Sequence, residues 1–259
     1  MSSPGIKAAM ARMLLICKDS AAIQQLAEGT QQFAIATEVC NEVSMALRLL
    51  NRQKFEAVVV DFGLDQAGEI LEQVRLSPSN RTAVTFAIAG PQKPDSVQIQ
   101  SNQVQPSQIQ SNQVQPNFWI ERPLSVSSVG RTFKAAFGLI VRERRRSFRC
   151  PVTFPAAILA SGKERNCQVV NISESGMAIA ESGSLKPGGM LKVVFTLPGQ
   201  VDPFTFESEV CWFDEKGRAG LRLVIMPPDQ KSTLQQWLAA KLEEYMPEEV
   251  AVQFREKKR

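Results

Sequence analysis

The hydrophobic pattern of this chain changes period near Arg142, and no single motif limits the fold as much as that change. Before it, short apolar runs alternate with amphipathic stretches. The most confining run is Ala57-Val58-Val59-Val60-Asp61, a buried β-branched strand that ends in an acid. A strand apolar on both faces needs cover on both, which a parallel sheet between helices supplies. Strands are expected at Met13–Cys17, Phe33–Thr37, Ala57–Asp61, Ala83–Ala89 and Phe118–Ile120. Helices are expected at Ser20–Glu28, Asn41–Asn51, Ala67–Leu76 and from Ser125 to about Arg144, with Asp19 or Ser20 capping the first. Residues 11–141 therefore read as a three-layer α/β domain.

Beyond Arg142 the runs become short, strand-like and closely spaced. Phe154–Ala160, Arg165–Ile172, Gly176–Glu181, Met190–Leu197, Phe204–Trp212 and Ala219–Ile225 are separated by Gly, Pro, Asp or Asn. Six such strands suggest a closed all-β barrel over residues 142–246. A C-terminal helix follows, with Asp229 as its expected cap. Leu234, Trp237, Leu238 and Leu242 form its apolar stripe. That stripe is expected to pack on the barrel, a dimer face being the alternative. Residues 247–259 form a basic tail.

One segment fits neither pattern. Gln98-Ile-Gln-Ser-Asn-Gln-Val-Gln-Pro106 recurs as Gln108-Ile-Gln-Ser-Asn-Gln-Val-Gln-Pro116, a Gln-rich repeat of period ten within an insertion at 96–116. Each copy ends in proline and holds only a single Ile and a single Val, too few to offset the entropy of ordering a helix. It reads as a mobile loop or as an adhesive, partner-docking tract.

Composition excludes several functions. At 259 residues the chain is long enough for two domains, with 44% apolar and 22% charged residues, as in soluble globular proteins. No apolar run is long enough for a signal-peptide core or a membrane span. Five scattered cysteines at 17, 40, 150, 167 and 211, without CxxC spacing, read as reduced thiols, so the cytoplasm is the expected location. There is no histidine, which rules out histidine-based triads, dyads and imidazole metal sites. No nucleophile–base pair, cofactor loop or metal cluster stands out. The chain reads as a binder, with no catalytic residues and no cofactor. Its net charge of +4 is concentrated in residues 142–149, which hold five Arg and one Glu. A cluster so local suits a compact anion better than a long polyanion.

The first half resembles the receiver domain of response regulators, a flavodoxin-like fold. Receivers carry an acidic pair after the first strand, a phosphoacceptor Asp after the third, a hydroxyl after the fourth and Lys-Pro after the fifth. Here those places hold Lys18-Asp19, Asp61, Ala89 and Arg122-Pro123. The resemblance thus implies a degenerate phosphoacceptor site made of Lys18, Asp19, Asp61 and Arg122. Magnesium needs oxygen ligands, and one acid, the hydroxyl and the lysine are gone. Lys18 either pairs with Asp61 in place of the cation or points to solvent.

Arg145-x-x-x-Arg149, followed by Asn171-x-Ser173-x-x-Gly176, resembles the ligand signature of PilZ domains, β-barrels that bind cyclic di-GMP. The resemblance implies that Arg145, Arg149, Asn171, Ser173 and Gly176 contact that ligand, with Arg144 or Arg146 assisting. The chemistry agrees. Guanidinium forks bind phosphate or the N7/O6 edge of guanine, and they do so from an extended or turning segment between the domains. Asn171 and Ser173 add donors and acceptors, and Gly176 allows a φ > 0 turn or a close backbone approach.

The function expected is a non-catalytic cyclic di-GMP receptor that changes its domain arrangement and signals to a protein partner. A phosphorylation-gated regulator and a ligand-free scaffold are the alternatives. Nucleic acid is disfavoured as a partner, since no basic recognition helix or aromatic basic face is present.

Overall fold

The computed structural model describes residues 11–89, 114–160, 162–181, 183 and 185–245. Most of the Gln-rich insertion at 96–116 and the tail at 247–259 lie outside them. The described residues form two compact units, one up to Arg144 and the other Arg145–Tyr245.

The first unit contains β1 (Ala11–Ile16), β2 (Ile35–Cys40), β3 (Ala57–Asp61), β4 (Val84–Ile88) and β5 (Phe118–Ile120). All its pairings are parallel, and the order is β2-β1-β3-β4-β5. This is the flavodoxin-like, doubly wound order that receivers share. The helices are α1 (Ser20–Thr30), α2 (Val43–Arg52), α3 (Ala67–Leu76) and α4 (Val126–Ser147). Leu14, Ile16, Val58 and Val60 pack in one apolar cluster with residues of α2 and α3. Elsewhere on the sheet Phe86 of β4 stacks on Phe133 of α4, with ring centroids 4.4 Å apart.

Two elements differ from expectation. The second strand begins at Ile35, because Gln31–Phe33 form a 3-10 turn closed by Ala34 at φ 50°. Phe33 is thereby drawn under Phe137, centroid to centroid 5.3 Å, instead of entering the strand. The last helix runs on to Ser147, so most of the arginine run is helical.

Side-chain polar groups hold the loops of this unit. Asn80 is fully buried. Its Nδ2 donates to the carbonyls of Leu50 (2.7 Å) and Gln53 (2.8 Å), and its Oδ1 accepts from Phe55 N–H at 2.8 Å. It thereby satisfies carbonyls at the end of α2 that the helix leaves open. Arg75 donates to Thr85 Oγ1 (3.0 Å) and Asn117 Oδ1 (3.1 Å), fastening the residue before β5 to β4.

The second unit is a closed antiparallel barrel of β6 (Cys150–Ala160), β7 (Lys163–Ser173), β8 (Gly176–Ala180), β9 (Met190–Phe195), β10 (Phe204–Phe213) and β11 (Arg218–Ile225), in the order β10-β11-β8-β7-β6-β9. Closure leaves no unpaired edge. Phe154, Phe195 and Phe204 stack in its interior with successive centroids 5.5 Å apart. Helix α5 (Pro228–Glu244) buries Leu234, Leu238 and Leu242, and its Gln230 Oε1 accepts from Thr205 N–H at 2.9 Å. The apolar stripe therefore packs on the barrel. Asp229 is not the cap but an acid in the first turn, because Pro228 already starts the helix.

Asn80→Ala removes two buried hydrogen bonds and one part-buried one; Phe55 N–H and the Gln53 carbonyl lose their side-chain partner, while the Leu50 carbonyl keeps the Ser77 hydroxyl. The substitution is expected to destabilise the chain by about 3 kcal/mol, read from urea unfolding. A loss below about 1 kcal/mol would mean that water replaces the amide.

Candidate functional site

Two sites emerge, one in each unit. At the C-terminal edge of the parallel sheet Asp61 ends β3 and is 4% exposed. Its Oδ1 accepts from Gly63 N–H at 2.9 Å, while its Oδ2 accepts from Arg122 Nη2 at 2.9 Å and from the Cys17 thiol at 3.3 Å. The other fork nitrogen of Arg122, Nη1, reaches Asp19 Oδ2 at 2.6 Å. Asp19 Oδ1 caps α1, accepting from the N–H groups of Ala21 (3.0 Å) and Ala22 (3.2 Å). Burial, with the Asp61 charge beside it, pushes the Cys17 thiol up to about 11, so it stays protonated as a donor.

The cation at Asp61 is therefore Arg122, and a pairing with Lys18 is not found: Lys18 is exposed and has no ion pair among the described residues. One fork spans both carboxylates, as guanidinium geometry allows and a lysine ammonium does not. Magnesium does not fit these residues. Three of the four carboxylate oxygens of Asp19 and Asp61 already accept from Arg122 or Cys17, or from the α1 cap, and the fourth from Gly63. Among the described residues no group of three Cys, Asp or Glu could hold a metal.

The second site lies on the barrel wall. Arg149, Asn171, Ser175, Gly176, Trp212 and Arg222 line a cleft of about 490 Å³, within the range of about 300–1,000 Å³ common for small-molecule sites. The turn that builds it comes from Asn171–Gly176. Ser173 pairs with Gly176 across a two-residue turn, and its buried hydroxyl donates to the Gly176 carbonyl at 2.9 Å. Ser173 thus braces the turn and does not line the cleft. The close-approach role of Gly176 is the one found: a Cβ there would stand 2.2 Å from the carbonyl oxygen of Leu221 on β11. Asn171 follows a register shift in β7, and its buried Oδ1 has no hydrogen bond among the described residues.

The arginines are divided. Arg149 is exposed at the cleft, in the two-residue link between α4 and β6. Arg145 lies on the last turn of α4, a correction to the extended segment expected for both, because the helix outruns its expected end. Burial lowers the guanidinium pKa of Arg145, with Glu243 and Glu174 acting the other way. Arg144 points to Glu56 of the first unit, Nη1 to Oε1 3.8 Å. Arg146 is exposed.

Trp212, Gly220 and Arg222 were not singled out by sequence reasoning. A register shift between Val210 and Trp212 turns Cys211 and Trp212 outward together, which breaks the alternation and leaves the indole 45% exposed. Trp212 lies over Gly220, where a Cβ would come 2.0 Å from its Nε1. Arg222 forms an ion pair with Glu209, which raises the pKa of its guanidinium. No local signal announces a bulge, so only a lone outward Trp in a strand could have drawn notice.

The geometry defines two classes of module: a receiver-like unit with a charge-locked acidic pocket, and a small barrel with a basic, aromatic-walled cleft. Residues 143–240 match the family model of the PilZ domain, so the chain contains a PilZ domain. Similar solved structures include the Bacillus subtilis inhibitor of motility MotI/DgrA, at 20% identity and TM-score 0.32, covering 36% of this chain and 48% of that one. The chain thus spans about half of that protein. The PilZ domain of YcgR from Escherichia coli, solved with c-di-GMP, is 21% identical over 39% of this chain and 93% of that one, TM-score 0.31. The chemotaxis response regulator CheY4 of Vibrio cholerae is 15% identical over 49% of this chain and 98% of that one, TM-score 0.40. No curated protein sequence matches the chain. No helix among the described residues is long and apolar enough to cross a membrane.

The hydrogen bond from Arg122, and then the α1 N–H groups, hold the Asp19 carboxyl below the usual carboxylate range. A depressed carboxylate contributes stability above its unfolded value of about 3.9 and loses it as pH falls through the folded value. Carboxyl carbon NMR is expected to show Asp19 titrating below that value and moving up in Arg122→Gln. An unshifted midpoint in the wild type would contradict the bridge.

Proposed function

We propose that the barrel is a receptor for cyclic di-GMP and that the chain is a non-catalytic effector of that second messenger. The observation that carries this reading is the convergence of Arg149, Asn171 and Gly176 with Trp212 on one cleft inside a PilZ domain. Cyclic di-GMP offers two phosphodiesters and two guanines. Arg149, with Arg145 and Arg144 from the helix end, supplies forks for phosphate or for guanine N7 and O6. Asn171 lines the cleft, and its buried, unpaired Oδ1 becomes an acceptor for a guanine N–H when the side-chain amide turns toward the ligand. Trp212 presents an indole face on which a purine can stack. Ser173 and Gly176 hold the turn in shape.

In this reading the first unit does not accept a phosphoryl group, because Arg122 already neutralises Asp61. Its role is to carry the ligand signal to a protein partner. The segment Arg142–Arg149, which joins the two units, is then the joint at which ligand binding reorients them.

Isothermal titration with cyclic di-GMP tests the site. Micromolar or tighter binding, about −8 kcal/mol or better, is expected for the wild type. It should be lost in Arg145→Ala/Arg149→Ala and absent with GTP. Undiminished binding by the double variant would reject the site. Small-angle scattering should change at saturating ligand; identical curves would reject reorientation.

A further inference from the structure

The strand order of the barrel places the Asn171–Gly176 turn between two arginines. That turn joins β7 to β8, whose outer neighbours are β6 and β11. Arg149 immediately precedes β6, and Arg222 lies on β11 in register with Gly176. The two arginines flank the turn from opposite sides, three strand spacings apart, or about 14 Å along the barrel wall. Both line the cleft, and they are its only charged lining residues. Arg222 is fixed at its root. Its Cα is 3.4 Å from where a Cβ on Gly176 would stand, and Leu223 N–H beside it donates to the Ser175 carbonyl at 2.9 Å. Its far end is in solvent, the side chain being 62% exposed, and is paired with Glu209, the residue opposite it on β10. Glu209 itself stands outside the cleft lining.

We propose that Arg222 is a second phosphate-binding arm of the cleft, opposite Arg149, and that Glu209 holds it in reserve until an anion arrives. This rests on the cyclic di-GMP reading above. That ligand carries its two phosphodiesters on opposite sides of one ring, so it calls for cations from two sides. The basic motif supplies one side only, because Arg145 and Arg149 both precede β6. Arg222 supplies the other. An exposed pair with one carboxylate is held weakly, since water screens it. A guanidinium fork on phosphate, partly enclosed by the cleft, gains charge-assisted hydrogen bonds in a drier setting. The exchange therefore favours the ligand, and Glu209 lowers affinity without preventing binding. A ligand with a single phosphate can use only one of the two arms.

Titrations of the full chain with cyclic di-GMP decide between the outcomes. Arg222→Ala is expected to raise Kd at least about tenfold, the loss of one charge-assisted contact. Its melting temperature should not move, because the pair it breaks is exposed. Arg222→Lys keeps the charge without the fork and should fall between the two. Glu209→Gln is expected to lower Kd about threefold, and to do nothing in an Arg222→Ala background, since its effect travels through Arg222. An unchanged Kd for Arg222→Ala overturns the proposal while leaving the binding site intact. No gain from Glu209→Gln, or an equal gain without Arg222, overturns the reserve held by Glu209. If the wild type binds no ligand, or Arg149→Ala binds as well as the wild type, the site reading falls and this proposal with it. Should Arg222→Ala fold poorly, arginine Nε–H NMR of the wild type settles the point. The Arg222 signal, assigned with Arg222→Lys, moves on ligand addition if the arm engages and stays if it does not.

Discussion

Compensation of buried carboxylates governs the first unit from both ends of its sheet. Burying an ionised acid is costly unless a cation and hydrogen bonds meet it. At the C-terminal edge Arg122 meets Asp61, and at the opposite edge Lys54 meets Glu143 and Arg144 approaches Glu56. The loops that carry Asp61, Glu56 and Lys54 are fixed by these pairs, as are the joint after β5 and the end of α4. The charge that compensates Asp19 and Asp61 is part of the chain.

In the barrel the governing constraint is steric. β8 is short, and it reaches β11 only because Gly176 has no side chain to strike the Leu221 carbonyl. The same approach brings the Asn171–Gly176 turn beside Trp212 and Arg222, whose strands would otherwise stand further away. Gly220 repeats the device, letting the indole lie across β11. Two glycines thus shape the cleft without offering it a functional group.

The fold was largely legible in the sequence because its signals are repetitive. Ala57–Asp61 could be read as a doubly buried strand, and the six short runs after Arg142 as a barrel. Local conformations were less legible. Ala34 in the left-handed region shortens a strand that Phe33 suggested, and the helix past Arg144 continues through residues with good helix propensity that read as a linker. Motif positions Arg149, Asn171 and Gly176 converge on one cleft, whereas Trp212 owes its place to a bulge and Arg122 its role to a tertiary contact between residues 103 and 61 positions apart. Pairings of that range are encoded in the topology and not in any window of sequence.

Arginine at position 122 also decides how firmly this pocket is held. A lysine ammonium is a point charge that can leave one acid for another ligand. A fork bound to two carboxylates at 2.6 and 2.9 Å must break both contacts together, and one of those carboxylates is buried.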